Sequence, residues 1–130
     1  MNALGWAQIA DDEALIVSFE TDTPAAYGSV QLFNAWGSSL PWGHVMANMS
    51  WGCSGDSNSI PTSDGFTHIV VSKEDPGVYN WMDTMEFETV YLAARLQSVD
   101  PDERDNILDG AYAQQIATRQ LYQREKYAPW

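Results

Sequence analysis

Apolar and polar residues alternate with a period of two through most of the first hundred positions, and that period predicts strands. Ala14 to Glu20 carries Leu15, Val17 and Phe19 on one side and ends in polar Ser18 and Glu20 on the other. Thr21 to Ala26, with Asp22 and Pro24, breaks the run. Tyr27 to Trp36 reads as a second strand, with Val30, Leu32, Asn34 and Trp36 on one face and Gln31 and Phe33 on the other. His44 to Trp51 predicts a third strand, and Phe66 to Ser72, rich in β-branched residues, is the clearest of the set. Phe87 to Leu96 closes the series, Val90, Leu92, Ala94 and Leu96 alternating with Thr89, Tyr91, Ala93 and Arg95. Residues 1–12 fit a short helix or an extended lead-in.

Turn chemistry separates these runs. Gly37 to Gly43 and Gly52 to Ser63 are small-polar loops, and Asp64-Gly65 leads into the clearest strand. Asp75-Pro76-Gly77 suits a type II turn, in which proline sets the first central residue and glycine takes the positive φ of the second. After residue 98 the period changes. Asp100 is a good N-cap, Pro101 fits the first helical turn, and Leu108, Ala111, Tyr112 and Ile116 fall on one helical face. The expectation is one domain over residues 1–130. A lead-in at 1–12 precedes a mostly-β, antiparallel β-sandwich over 13–98, and a C-terminal α-helix over 100–126 follows.

The 130 residues, 45% of them hydrophobic, are enough for one real core. Charge narrows the partners. Six Lys and Arg face eighteen Asp and Glu, a formal net charge of −12 that disfavours nucleic acid and anionic membrane surfaces. Arg104, Arg119, Arg124 and Lys126 sit in the last part of the chain, leaving the β portion acidic. No apolar run reaches the roughly 20 residues that cross a bilayer, and no secretory pattern opens the chain, so a soluble, cytoplasmic protein is expected. Cys53 is the lone cysteine, which excludes an intrachain disulfide.

Candidate chemistry is sparse. Cys53-Ser54-Gly55-Asp56-Ser57 has the look of a serine-hydrolase nucleophile segment, but Asn58 and Ser59 follow it, and His44 and His68 are the only histidines. It reads as a loop. Two histidines do not make a zinc or iron site, and His68 shares a face with Phe66 and Val70, so a hydrogen-bonded, half-buried imidazole is expected, with no metal. Phosphate-binding glycine motifs are absent and no cofactor is implied. The most distinctive stretch is Asp75-Pro76-Gly77-Val78-Tyr79-Asn80-Trp81-Met82-Asp83-Thr84. It suits ligand contact, or a structural corner in which Trp81 plugs the sandwich and Asn80 caps backbone groups; the corner is the preferred reading.

Glu13-Ala14-Leu15-Ile16-Val17, Gln31-Leu32-Phe33-Asn34-Ala35-Trp36, Asp64-Gly65 and the Asp75-Pro76-Gly77-Val78 block with Asn80-Trp81-Met82-Asp83-Thr84 occur in an order that resembles the bacterial domain-of-unknown-function family numbered 1214. Arg95 and an arginine-bearing C-terminal segment add to the resemblance, which spans nearly the whole chain. It implies a jelly-roll-like sandwich that usually accompanies a second domain in a longer protein. The chain departs from the pattern at Gly28, where an aromatic is usual, at Met82, where leucine is, and at Met85-Glu86, where relatives tend to carry Gly-His. The family brings no agreed catalytic residues.

Two classes of function follow. An accessory domain would hold a small organic ligand, or a companion domain or subunit, on a patch of Asn34, Trp36, Asn80, Trp81, Asp83 and Arg95, with Arg95 paired to Asp83 or to a ligand carboxylate. An enzyme acting on a hydrophobic small molecule would use Asp83 or Glu13 as general base beside His68. A homo-oligomer that closes its own exposed face is a third arrangement.

Overall fold

The structure, a computed structural model, describes residues 1–38, 40, 48–50 and 59–117. Among the described residues eight strands form two four-stranded sheets. In the first, β1 (Asn2–Gln8) pairs with β7 (Thr89–Gln97), β7 with β3 (Tyr27–Phe33), and β3 with β4 (Asn48–Ser50). In the second, the order is β6 (Trp81–Asp83), β5 (Phe66–Ser72), β2 (Glu13–Glu20) and β8 (Tyr112–Ala117). Every neighbouring pair is antiparallel except β5–β6, where Val70 lies beside Trp81 and Ser72 beside Asp83.

The alternation of the sequence becomes the sandwich directly. Leu15, Phe19, Ile69, Val71 and Met82 from the second sheet meet Val30, Leu32, Val90 and Leu96 from the first, with Ile9, Leu40 and Ile107 closing the ends. The outer faces differ. On the second sheet, Ala14, Ile16, Val70 and Ile116 form a further apolar layer under Val78 and Trp81, so β5 is buried on both faces. The turn before Val78 has Gly77 at φ 75° with its N–H held by Asp75 Oδ1 at 2.8 Å, which is the conformation that glycine alone takes cheaply. Among the described residues the outer face of the first sheet has no comparable apolar layer, and Trp6 and Tyr91 on it are exposed.

The expected helix over 100–126 is corrected. Asp100 does cap a helical start, its side chain accepting from Asp102 N at 3.0 Å, but a single 3₁₀ turn (Pro101–Glu103) leads into a short helix, α1 (Arg104–Asp109), and the helix stops there. Residues 112–117 are β8, laid along the open edge of β2 with Val17 opposite Ala113 and Ala14 opposite Ile116. The sandwich therefore runs beyond 13–98. It starts at β1, which makes the lead-in a paired edge strand, Trp6 opposite Tyr91. The second strand ends at Phe33, short of Trp36, and β7 begins at Thr89, two residues after Phe87. His44, Cys53 and the loop around it, and residues 118–126 lie outside the described residues.

Candidate functional site

The residues assigned to a ligand patch divide between the two sheets. Asn80 is 1% exposed and fully engaged: its Oδ1 accepts from Ile60 N at 2.8 Å, and its Nδ2 donates to Ile60 O and His68 O at 2.7 and 2.9 Å. Half-buried Trp81 lies against the outer apolar layer of the second sheet and donates its indole N–H to Ser72 O at 3.2 Å. Asp83 accepts from Met85 N at 2.7 Å. These three form a corner at the β5–β6 edge. Asn34 stands at the end of β3, its Oδ1 accepting from the backbone N–H groups of Trp36 and Ser38, both at 3.0 Å. That turn presents Trp36 to solvent, 89% exposed. Arg95 belongs to β7 in the first sheet, and it makes no ion pair with Asp83 or any other carboxylate among the described residues.

His68 and the proposed general bases do not meet. Glu13 is five residues along β2 from Ser18, which lies opposite His68, a separation of about 16 Å at the rise of a strand. Its Oε2 instead accepts from Gln115 Nε2 at 2.7 Å and Ala10 N at 3.1 Å. Asp83 is aligned with Ser72, four residues or about 13 Å from His68. The carboxylate beside His68 is Asp64, from the turn that precedes β5: Oδ2 lies 2.7 Å from Nε2, and Ser18 Oγ lies 2.7 Å from Nδ1.

This Ser18–His68–Asp64 chain has the members of a hydrolytic triad with the ring reversed, serine on Nδ1 and carboxylate on Nε2. In the neutral imidazole, Nε2–H donates to Asp64 and Nδ1 is left to accept the Ser18 hydroxyl proton. Asp64 is partly desolvated, which raises its pKa, but hydrogen bonds from Thr62, His68 and the Phe66 N–H outweigh this and hold it at about 2. Ser18 and His68 are sealed, 0% and 1% exposed, beneath the rings of Phe66 and Tyr112. A nucleophile must reach its substrate. Here the chain ties β2, β5 and the preceding turn together. Among the described residues no three His, Cys, Asp or Glu side chains converge as metal ligands.

The exposed face of the first sheet has a different character. The register sets Trp6, Tyr91 and Phe33 in one row across β1, β7 and β3, and Asn2, Arg95 and Ser29 in another. Trp6 is 65% and Tyr91 41% exposed. Asn2, Phe33, Trp36, Tyr91 and Arg95 line a hollow of about 600 Å³, and Tyr27, Gln31 and Gln97 line a second of about 310 Å³ on the other side of Arg95. Of the proposed patch, Trp36 and Arg95 are thus the two that share a surface. The residues that complete it, Asn2, Trp6, Phe33 and Tyr91, were missed. Their signal was an absence: β1, β3 and β7 contain no Asp or Glu, in a chain that carries eighteen.

No family model matches the chain, and no curated protein matches it. Solved structures do. A protein from Burkholderia cenocepacia, described as uncharacterized, superposes with a TM-score of 0.72 at 22% identity over 92% of this chain and 30% of its own. The VPA0106 protein of Vibrio parahaemolyticus superposes with a TM-score of 0.58 at 13% identity over 89% of this chain and 30% of its own. At these identities the likeness is one of fold, and the chain spans about a third of the length of the structures it resembles.

Proposed function

We propose that this chain is an accessory β-sandwich unit that docks onto a protein partner, a companion domain or subunit, through the outer face of the first sheet. The observation that carries the reading is the composition of that face: exposed aromatic residues and one arginine, no carboxylate, in a strongly acidic protein. Depletion of acidic residues together with enrichment in Trp, Tyr, Phe and Arg is the composition of interface cores. The second sheet covers its own outer face with Val78 and Trp81, whereas among the described residues nothing comparable lies over Trp6 and Tyr91 on the first. Two further points support a companion. The fold recurs within chains about three times longer, and the Asp75–Thr84 block resembles a domain that usually accompanies another.

The test uses Tyr91→Glu and Trp36→Glu, two exposed positions at the centre and edge of the face. Each is expected to leave the melting temperature within about 2 °C of the parent, because neither side chain is packed in the core. A partner captured from the source cells by the parent chain is then purified and titrated, and both variants are expected to bind it at least about tenfold more weakly. If every protein retained by the parent is retained equally by both variants, the docking reading fails.

A further inference from the structure

Between the two sheets, at the flank where β1 and β8 run as edges, the sandwich does not close. Among the described residues each of these strands is paired on one side, β1 to β7 and β8 to β2. The gap between them measures about 350 Å³. Its floor is Leu15, Val17 and Phe19 from β2 with Val30 and Leu92 from the facing sheet. Its walls are small: Ala3, Gly5 and Ala7 along β1, and Ala111 and Ala113 along the approach to and start of β8. A Cβ added at Gly5 would meet nothing within 4 Å, so no described side chain fills the space there.

We propose that this gap is a binding site for an uncharged, apolar small molecule, a site that shares Trp6 with the docking face but none of Tyr91, Trp36, Phe33 and Arg95. The volume falls within the roughly 300–1,000 Å³ of small-molecule pockets. Among the described residues no Asp, Glu, Lys, Arg or His lines it, and Tyr112 and Trp6 are the lining residues whose side chains carry a polar atom. A charged ligand would lose its hydration there with no counter-charge to replace it. An anion would in addition approach a chain of net charge −12. A neutral hydrocarbon or aromatic body replaces water against apolar walls and is favoured by the area it removes from solvent. The small residues on β1 and β8 are what make the room, so they decide the size of the ligand.

The experiment compares two probes built on nearly the same rings, neutral N-phenyl-1-naphthylamine and anionic 8-anilino-1-naphthalenesulfonate. The neutral probe is expected to bind one per chain with saturation, and the anionic probe at least about tenfold more weakly, through the charge terms above. Gly5→Leu and Ala113→Leu, which fill the gap from opposite walls and touch no residue of the docking face tested above, are each expected to weaken the neutral probe at least about tenfold through lost volume. Methyl resonances of Leu15, Val17 and Leu92 in the unaltered chain should shift on titration, a readout that does not depend on either variant folding. Unsaturable binding overturns the proposal, as do equal affinity in folded filled variants and shifts confined to residues outside the gap. Because Tyr91 and Trp36 do not line the gap, Tyr91→Glu separates the two proposals: it should weaken docking at least about tenfold and leave probe binding intact.

Discussion

Asp64 sits in the turn before β5 and gathers Thr62 Oγ1, the Phe66 N–H and His68 Nε2 on one carboxylate. Each of these bonds favours the ionised form, which is why its pKa falls from 3.8 to about 2 despite partial burial. A pKa lowered in the folded state stabilises the protein fully above the unfolded value of 3.8, and that contribution disappears as the pH falls toward 2. The side chain is 36% exposed, so solvent screening reduces the nominal value of the shift to about 1 kcal/mol. Asp64→Asn should therefore lower stability by about 1 kcal/mol at neutral pH, and its urea midpoint should fall less than the parent's between pH 4 and 2. Parallel pH profiles for the two proteins would contradict this assignment. The sequence made His68 legible as a hydrogen-bonded histidine, because it shares a face with Phe66 and Val70. Its partners were not legible. Ser18 is fifty residues away and reaches His68 only through the β2–β5 register, which a one-dimensional pattern does not contain.

At the scale of elements, strands with strict alternation were readable and the C-terminal segment was not. Leu108, Ala111, Tyr112 and Ile116 do recur at helical spacing, but Tyr112, Gln114 and Ile116 also alternate with Ala113, Gln115 and Ala117. The pattern alone does not decide between the two periods. The decision is tertiary: β2 has an open edge whose backbone groups need partners, and pairing with residues 112–117 satisfies them while placing Ile116 beside Ala14, Ile16, Val70 and Val78. A helix there would leave that edge bare. Gly110 directly follows α1, its N–H still bonded to Asn106 O at 3.0 Å. Ile116→Ala removes a side chain that is 8% exposed and should cost about 2–3 kcal/mol, as a buried apolar residue does. Were residues 112–117 a solvent-facing helix, the same change would cost little or even stabilise, alanine being the better helix former. Denaturant titration of the one variant separates these outcomes by sign or by size.

For the whole molecule, the question is where the excess negative charge lies. The first sheet's strands β1, β3 and β7 hold none of it. The carboxylates crowd the connections: Asp11 and Asp12, Asp22, Glu86 and Glu88, and Asp100 through Asp109. Lys73 is the cation set among the first and third of these groups, its Nζ 2.6 Å from Asp11 Oδ1 and 3.8 Å from Glu88 Oε1. Salt acts on both features in opposite directions. It screens the mutual repulsion of the acidic turns, which stabilises the fold, and it weakens the Lys73 pairs, which destabilises it. A surface pair contributes about 0–1 kcal/mol, whereas twelve unbalanced charges repel one another across the whole surface, so screening of the repulsion should win. Between about 10 mM and 150 mM sodium chloride the screening length falls from about 30 Å to about 8 Å. The melting temperature is therefore expected to rise by about 2–5 °C over that range. A fall instead would mean that the Lys73 cluster outweighs the global repulsion, and Lys73→Met would then be expected to lose the salt dependence altogether. The same distribution bears on the docking face: with the acids held in the turns, the first sheet offers an approaching partner a region without fixed negative charge, and association there should be far less sensitive to salt than the stability of the fold itself.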